Sequence, residues 1–163
     1  MRARRRVPPG AAGRHRPAPP PEEARMSVRL NPYLHFESTG REALEFYRSV
    51  LGGELQIMTF GDMGAEGPVP PPEGVMHGYL ETPDGFVLMA SDGEPGREAG
   101  APTGISVSLS GDDPGKLGGW FTALAEGGTI DVPFEKQMWG DLFGQVTDRF
   151  GIRWLVNAAD PQA

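Results

Sequence analysis

The sequence predicts an α+β fold made of two βαβββ modules in tandem, with mixed sheets curving around a central cavity. Three observations predict it. The order strand, helix, strand, strand, strand reads twice along the chain. Each helix carries an aromatic pair and then closes on a Gly pair: Phe46-Tyr47 before Gly52-Gly53, and Trp120-Phe121 before Gly127-Gly128. Each module ends on a hairpin turned at a Gly, first Gly85 and then Gly151. One such unit presents a sheet face that it cannot cover alone. Two units side by side enclose a hollow, which is where a ligand is expected.

The elements follow in order. Val28 to Phe36 alternates as a strand, with Leu30, Leu34 and Phe36 on one face and Asn31, Tyr33 and His35 on the other. Thr39 with Glu42 three residues on has the pattern of a capping box, and Ala43, Tyr47, Val50 and Leu51 give the following helix an apolar face. Gly52-Gly53 ends it, because Gly tolerates a left-handed C-cap. Leu55 to Phe60 is a strand, and 61–74 is a Gly- and Pro-rich loop. Val75 to Thr82 and Phe86 to Ser91 form a hairpin around Pro83-Asp84-Gly85.

In the second copy, Ile105 to Leu109 alternates with Ser106 and Ser108. Asp113-Pro114 supplies an N-cap and a Pro at the first helical position. Leu117, Trp120, Phe121 and Leu124 form the helix stripe, although Gly118 and Gly119 each weaken that helix by about 1 kcal/mol relative to Ala. Thr129 to Phe134 is a strand and 135–141 a loop. Leu142 to Thr147 and Ile152 to Asn157 are the closing hairpin, turned at Asp148-Arg149-Phe150-Gly151. Asp84 and Asp148 read as turn formers. The Gly-rich stretches Gly61-Asp62-Met63-Gly64 and Gly93-Glu94-Pro95-Gly96 are links, lacking the strand–glycine–helix context of a nucleotide site.

The organisation is a disordered basic leader over 1–26 and one domain over 27–160, with modules 27–92 and 103–159. Seven of the 15 Lys and Arg lie in the first 25 residues, with only Glu22 and Glu23 of the 22 acidic residues. That stretch is Arg, Pro, Ala and Gly with little to bury, and it lacks the apolar core of a secretory signal. Translation is expected to start natively at Met26. The remaining body holds 8 basic and 20 acidic residues, which repels phosphate backbones and argues against nucleic acid as a partner. No apolar run approaches the ~20 residues of a membrane span. The absence of Cys removes disulfides, Cys metal sites and a thiol nucleophile, and fits a reducing, cytoplasmic setting.

Local sequence narrows the family. Asn31-Pro32-Tyr33-Leu34, Glu42-Ala43-Leu44-Glu45-Phe46-Tyr47 and Gly52-Gly53-Glu54-Leu55 resemble the PhnB-like branch of the vicinal-oxygen-chelate (glyoxalase/bleomycin-resistance/dioxygenase) superfamily. So do Met76-His77-Gly78, Leu88-Met89-Ala90-Ser91-Asp92, and Trp139-Gly140-Asp141 with Asp148-Arg149-Phe150-Gly151-Ile152-Arg153-Trp154. The resemblance runs from about residue 28 to 158. It implies the paired-module fold and a plausible homodimer. It does not select an activity, because the superfamily includes metal-dependent lyases, dioxygenases, epimerases and proteins that sequester antibiotics.

Metal-dependent members place a His or Glu on the first and last strand of each module. The repeat puts those positions near Asn31, Met89 (or Leu88), Gly104 and Leu155, none of which is a good ligand, so no family-type metal or other cofactor is expected. A divalent ion at an atypical set, such as His35, His77 and Glu81, is the alternative.

The candidate catalytic residues are His77, as neutral donor or general base, and Asp141, weighed against a strand His that is merely hydrogen-bonded and an Asp that caps its own loop. The candidate ligand-binding residues are Asn31, Tyr33, His35, Trp139 and Arg153. Trp139, in a Gly-flanked loop, would lid the cavity or else serve packing. Arg153 would meet an anionic ligand if its strand face lines the cavity, or make a surface ion pair if it does not. Trp154, on the opposite face, is expected to pack against a helix. Two functions compete: a binding module for a small organic molecule, or a glyoxalase- or dioxygenase-type enzyme (lyase, isomerase or oxidoreductase) using an atypical metal or His/Asp acid–base chemistry. A third reading is an interaction dimer.

Overall fold

The computed structural model describes residues 29–66, 70–93 and 104–159. The expected leader, the Met26 start and most of the 93–96 link lie outside them. The elements are β1 (Tyr33–Phe36), α1 (Gly40–Leu51), β2 (Glu54–Thr59), a 3-10 turn (Gly61–Met63), β3 (Val75–Glu81) and β4 (Val87–Asp92) in the first module. The second has β5 (Val107–Gly111), α2 (Pro114–Leu124), β6 (Thr129–Lys136), β7 (Leu142–Thr147) and β8 (Arg153–Ala158).

Each module forms its own mixed four-stranded sheet, ordered β1-β4-β3-β2 and β5-β8-β7-β6. The first strand of each runs parallel to the last, and the other pairs are antiparallel. This is the predicted α+β class with the βαβββ order repeated.

The duplication reaches the atoms. Gly85 N donates to Thr82 O at 2.9 Å, and Gly151 N to Asp148 O at 2.9 Å. Thr82 N donates to Phe86 O and Asp148 N to Ile152 O, both at 2.9 Å. Each helix also lies close on its sheet, over a Gly in the strand beneath it. A Cβ on Gly78 would stand 2.1 Å from Leu44 Cδ1, and one on Gly144 would stand 2.7 Å from Phe121 Cε2. At Gly144 the Phe134 backbone also stands within 3.0 Å, so a side chain there has no room, whereas at Gly78 the Leu44 side chain would have to move.

The core combines both modules. Ala43, Leu44, Phe46, Tyr47 and Leu51 of α1 pack with Leu34, Phe36, Leu80, Leu88 and Ala90 beneath. Leu117, Phe121 and Leu124 of α2 pack with Leu109, Val146, Trp154 and Val156. The modules meet through α1 and the second module's turn: Phe150 sits edge-on to Phe36 at 6.2 Å and against Phe46 at 5.7 Å. On the opposite side, Phe86 packs edge-on to Trp120 at 6.0 Å, and Lys116 pairs with Asp84. Asp84 is thus a turn residue that also joins the modules.

Two local expectations change and one holds. β1 starts at Tyr33 rather than Val28. Asp113 caps α2 as expected, accepting from Lys116 N at 2.9 Å. Thr39 does not cap α1 through its side chain. The buried carboxylate of Asp92 does that work from the end of β4, accepting from Gly40 N and Val75 N, each at 2.8 Å. A charged acceptor outcompetes a hydroxyl at a helix N-terminus, where N–H groups converge and the dipole favours negative charge.

Trp154 packs against its own module's helix as expected, and it also reaches the helix of the other module. Its ring lies 5.4 Å from that of Tyr47 on α1, and its indole Nε1 donates to Asp148 Oδ2 at 2.8 Å. Asp148 is more than a turn former. Oδ1 accepts from Phe150 N and Ile152 N within its turn, at 2.9 and 3.0 Å. Oδ2 also accepts from the Tyr47 hydroxyl at 2.7 Å. Burial, then the adjacent Asp148 charge and this hydrogen bond, push the Tyr47 phenol well above its ordinary pKa.

Candidate functional site

Strand alternation decides which side chains leave the core. On β1, Leu34 and Phe36 point to α1, so Tyr33 and His35 project from the opposite face. The register brings Met89 and Ser91 of β4 beside them. Tyr79 of β3 pairs with Met89, and His77 lies one pleat along on the same face. In the second module, Ser108 pairs with Leu155 and Ser110 with Asn157, while Trp154 and Val156 go to the core. Arg153 shares the open face with Leu155 and Asn157.

The first strands of the two modules border a cleft of about 820 Å³. One wall is Leu30 to His35, including Asn31, Tyr33 and His35; the other is Ile105 to Ser108, with Ile152 and Arg153. The volume suits a small organic molecule. Half of the lining residues are aliphatic, and Leu30 and Ile105 are largely exposed at its edge.

The polar groups of this region form a short network. Tyr33 Oη and His77 Nδ1 are 3.0 Å apart, and Ser91 Oγ and His35 Nδ1 are 3.3 Å apart. The His35 ring centroid lies 5.1 Å from that of Tyr33, and the His77 centroid 5.7 Å from it on a second side. The three rings tilt by 31° and 36° at the two contacts, which makes a nearly continuous aromatic shelf. A phenol hydrogen-bonded to an imidazole can pass a proton near neutrality.

The expected site residues therefore divide. Asn31, Tyr33, His35 and Arg153 line one cleft, and His77 joins it through Tyr33. Trp139 and Asp141 do not line it. Trp139 is 58% exposed in the turn between β6 and β7, edge-on to Phe143 at 5.9 Å. Asp141 does not cap its loop with its carboxylate; Oδ2 accepts from Asn157 Nδ2 at 2.9 Å on β8. Asn157 is four strand residues beyond Arg153, about 13 Å. Ile105, Ser106, Ser108 and Ile152 line the cleft without having been singled out. Their signal was present, since Ser106 and Ser108 are the repeat counterparts of Asn31 and Tyr33.

The donor set does not fit the superfamily's metal. Two of its positions carry Met89, beside Tyr33, and Leu155, beside Ser108. A thioether and an aliphatic chain offer no oxygen or imidazole donor to a hard or borderline divalent ion. The alternative set is dispersed: Tyr33 engages His77, Ser91 engages His35, and Glu81 pairs with Arg29 at 3.7 Å. Among the described residues, no three His, Cys, Asp or Glu side chains converge on a point.

Comparisons with known proteins agree with this architecture. The model of the Glyoxalase/Bleomycin resistance protein/Dioxygenase superfamily matches residues 29–156. Protein YjdN of Escherichia coli is 31% identical over 144 residues, covering 82% of this chain and 97% of that protein. The crystal structure of protein PA1353 from Pseudomonas aeruginosa is 38% identical, with TM-score 0.73, over 82% of this chain and 99% of that one. A PhnB protein from Bacillus cereus, described as a putative 3-demethylubiquinone-9 3-methyltransferase, shares the fold at TM-score 0.69 with 22% identity, over 81% and 100% of the two chains. With its duplicated βαβββ modules and this match across both of them, the chain belongs to the glyoxalase/bleomycin resistance protein/dioxygenase superfamily.

Proposed function

We propose that this protein binds a small organic molecule in the cleft between β1 and β5, without the superfamily's usual metal. The observation that carries the reading is the cleft itself, about 820 Å³ with an aromatic shelf on one wall and a guanidinium on the other. Aliphatic walls with a few convergent polar groups are the common composition of ligand sites. The residues assigned to contact are Asn31, Tyr33, His35 and Arg153, with His77 behind Tyr33.

The test is a thermal-shift screen of small aromatic and aliphatic metabolites on protein purified without a chelating tag, with elemental analysis of the same preparation. Binding to the native state raises stability by mass action, by about 2.7 kcal/mol at a hundredfold excess over Kd. Saturable shifts that Tyr33→Ala abolishes support the reading. One equivalent of bound zinc, nickel, iron or manganese, lost in His35→Ala or His77→Ala, overturns it.

A second reading is favoured by one specific contact, the Tyr33–His77 hydrogen bond of 3.0 Å. That pair can act as an acid–base relay on a molecule held in the cleft, which would make the protein a metal-independent lyase or isomerase. Turnover that falls at least about 100-fold in Tyr33→Phe while binding persists would select this reading over simple sequestration.

A further inference from the structure

We propose that the cleft selects planar monoanions, of the aromatic or conjugated carboxylate class, with the ring laid on Tyr33 and His35 and the carboxylate held by Arg153. This rests on the binding reading above and deepens it.

The repeat provides the argument. The two modules can be superposed residue for residue at their hairpin turns, because Gly85 and Gly151 occupy equivalent corners. Two residues past each corner stand Val87 and Arg153. Val87 is buried at 5% exposure, whereas Arg153 is exposed and lines the cleft. The position can thus be filled by a buried aliphatic side chain, and a guanidinium there is not a demand of the fold. Among the described residues, no carboxylate stands within ion-pair distance of Arg153. Asp131, two strands across the same sheet, is engaged by Thr147 Oγ1 at 2.7 Å. An Arg fork without a protein partner beside a cleft can receive a carboxylate in bidentate fashion.

The facing walls have diverged to match. Tyr33 and His35 form a shelf with ring centroids 5.1 Å apart. Their pairing equivalents in the second module are Ser108 and Ser110, which sit opposite Leu155 and Asn157 as Tyr33 and His35 sit opposite Met89 and Ser91. One wall therefore offers aromatic rings, and the other carries the small Ser108 where the first has Tyr33, leaving room for a flat ring there. The His77 contact anchors the Tyr33 hydroxyl and so fixes the ring that the ligand would meet.

Charge count sets the anion's class. Among the described residues lining the cleft, Arg153 is the one Lys or Arg, and Leu30, Pro32, Leu34, Ile105, Val107 and Ile152 make up half of the lining. One cation compensates one negative charge. A dianionic phosphate or phosphonate would leave a second charge against aliphatic walls, which is costly.

Three fluorescent probes of one size test this on the full chain: 2-naphthoate, neutral 2-naphthamide and dianionic 2-naphthyl phosphate. The expected result is naphthoate binding at least about tenfold tighter than either of the others, as one charge-assisted contact gives. Arg153→Gln should erase the preference for acid over amide, and Arg153→Lys should retain most of it. Equal affinity for acid and amide, a preference that survives Arg153→Gln, or tightest binding of the phosphate overturns the anion selectivity but leaves the binding reading standing. Failure of all three probes to bind at millimolar concentration removes both. Unchanged melting temperature of Arg153→Gln shows that any loss is not a loss of fold.

Discussion

Replacing Tyr47 with Phe should change the pH dependence of stability as well as its size. The Tyr47 hydroxyl donates to the buried Asp148 carboxylate at 2.7 Å, and the ring is fully buried. At neutral pH, Tyr47→Phe removes one of the four donors that reach Asp148 and keeps the packing. A hydrogen bond to a buried charge is worth about 2 kcal/mol net, so the variant should lose about that much. The alkaline side behaves differently. Burial and the Asp148 charge hold the folded phenol protonated far above the ordinary value of about 10, while in the unfolded chain it ionises there. Below that pH, both states carry the proton and the contribution is fully present. Above it the unfolded state binds one proton fewer, so stability falls by about 1.4 kcal/mol per pH unit. By pH ~11.5 the native protein has lost about 2 kcal/mol through this group alone, and Tyr47→Phe has lost none. Urea titrations from pH 7 to ~11.5 should show the two proteins converging as their shared titrations cancel. A gap that stays constant across that range would refute the assignment of a protonated, Asp148-bound phenol. Tyr47 should stay silent in ultraviolet difference absorbance at alkaline pH while the protein stays folded.

Other outcomes follow from the same coordinates. Asp92→Ala should destabilise by about 3 kcal/mol in urea denaturation, because Gly40 N and Val75 N lose a shared charged acceptor in a buried setting. Gly53→Ala should cost more than about 2 kcal/mol: the residue sits at φ 105°, and a Cβ would stand 2.1 Å from the Glu81 carbonyl oxygen. Trp139→Ala should leave both melting temperature and ligand affinity nearly unchanged, the side chain being exposed and outside the cleft. Tyr33→Phe should keep ligand binding within about twofold, since the ring shelf remains.

The fold was legible because its signals were local and came twice. Alternation put Tyr33 and His35 on one face of β1 and Arg153 with Leu155 and Asn157 on one face of β8; Gly52-Gly53 marked the end of α1, whereas α2 stops at Leu124, capped by Ala125, before its Gly pair. What failed to show depended on contacts distant in sequence. Thr39 and Glu42 have the spacing of a capping box, yet the acceptor at that helix end is Asp92, 52 residues after the amide it satisfies. Asp148 looked like a turn residue and is one; nothing in its neighbourhood shows that Tyr47, 101 residues earlier, reaches it. Trp139 and Asp141, which do not border the cleft between β1 and β5, are hard to read for another reason. They lie in and beside a turn, where no period of two or 3.6 tells which way a side chain points. Ser106 and Ser108 alternate along their strand, and their repeat equivalence to Asn31 and Tyr33 puts them on the facing wall.

The hairpin corners of the two halves have consequences for how the chain can be rearranged. Thr82 holds the first corner with a hydroxyl that meets Phe86 N at 3.1 Å, and its reach ends inside its own hairpin. Asp148 holds the second with a carboxylate that also grips a helix from the other half. The halves are therefore no longer interchangeable parts. A chimaera carrying two first halves would retain every turn and lose the clasp between them. A fragment holding only the second half would carry a carboxylate whose tyrosine partner is missing. The ancestral symmetry survives in the backbone, and the side chains have made the order of the halves obligatory.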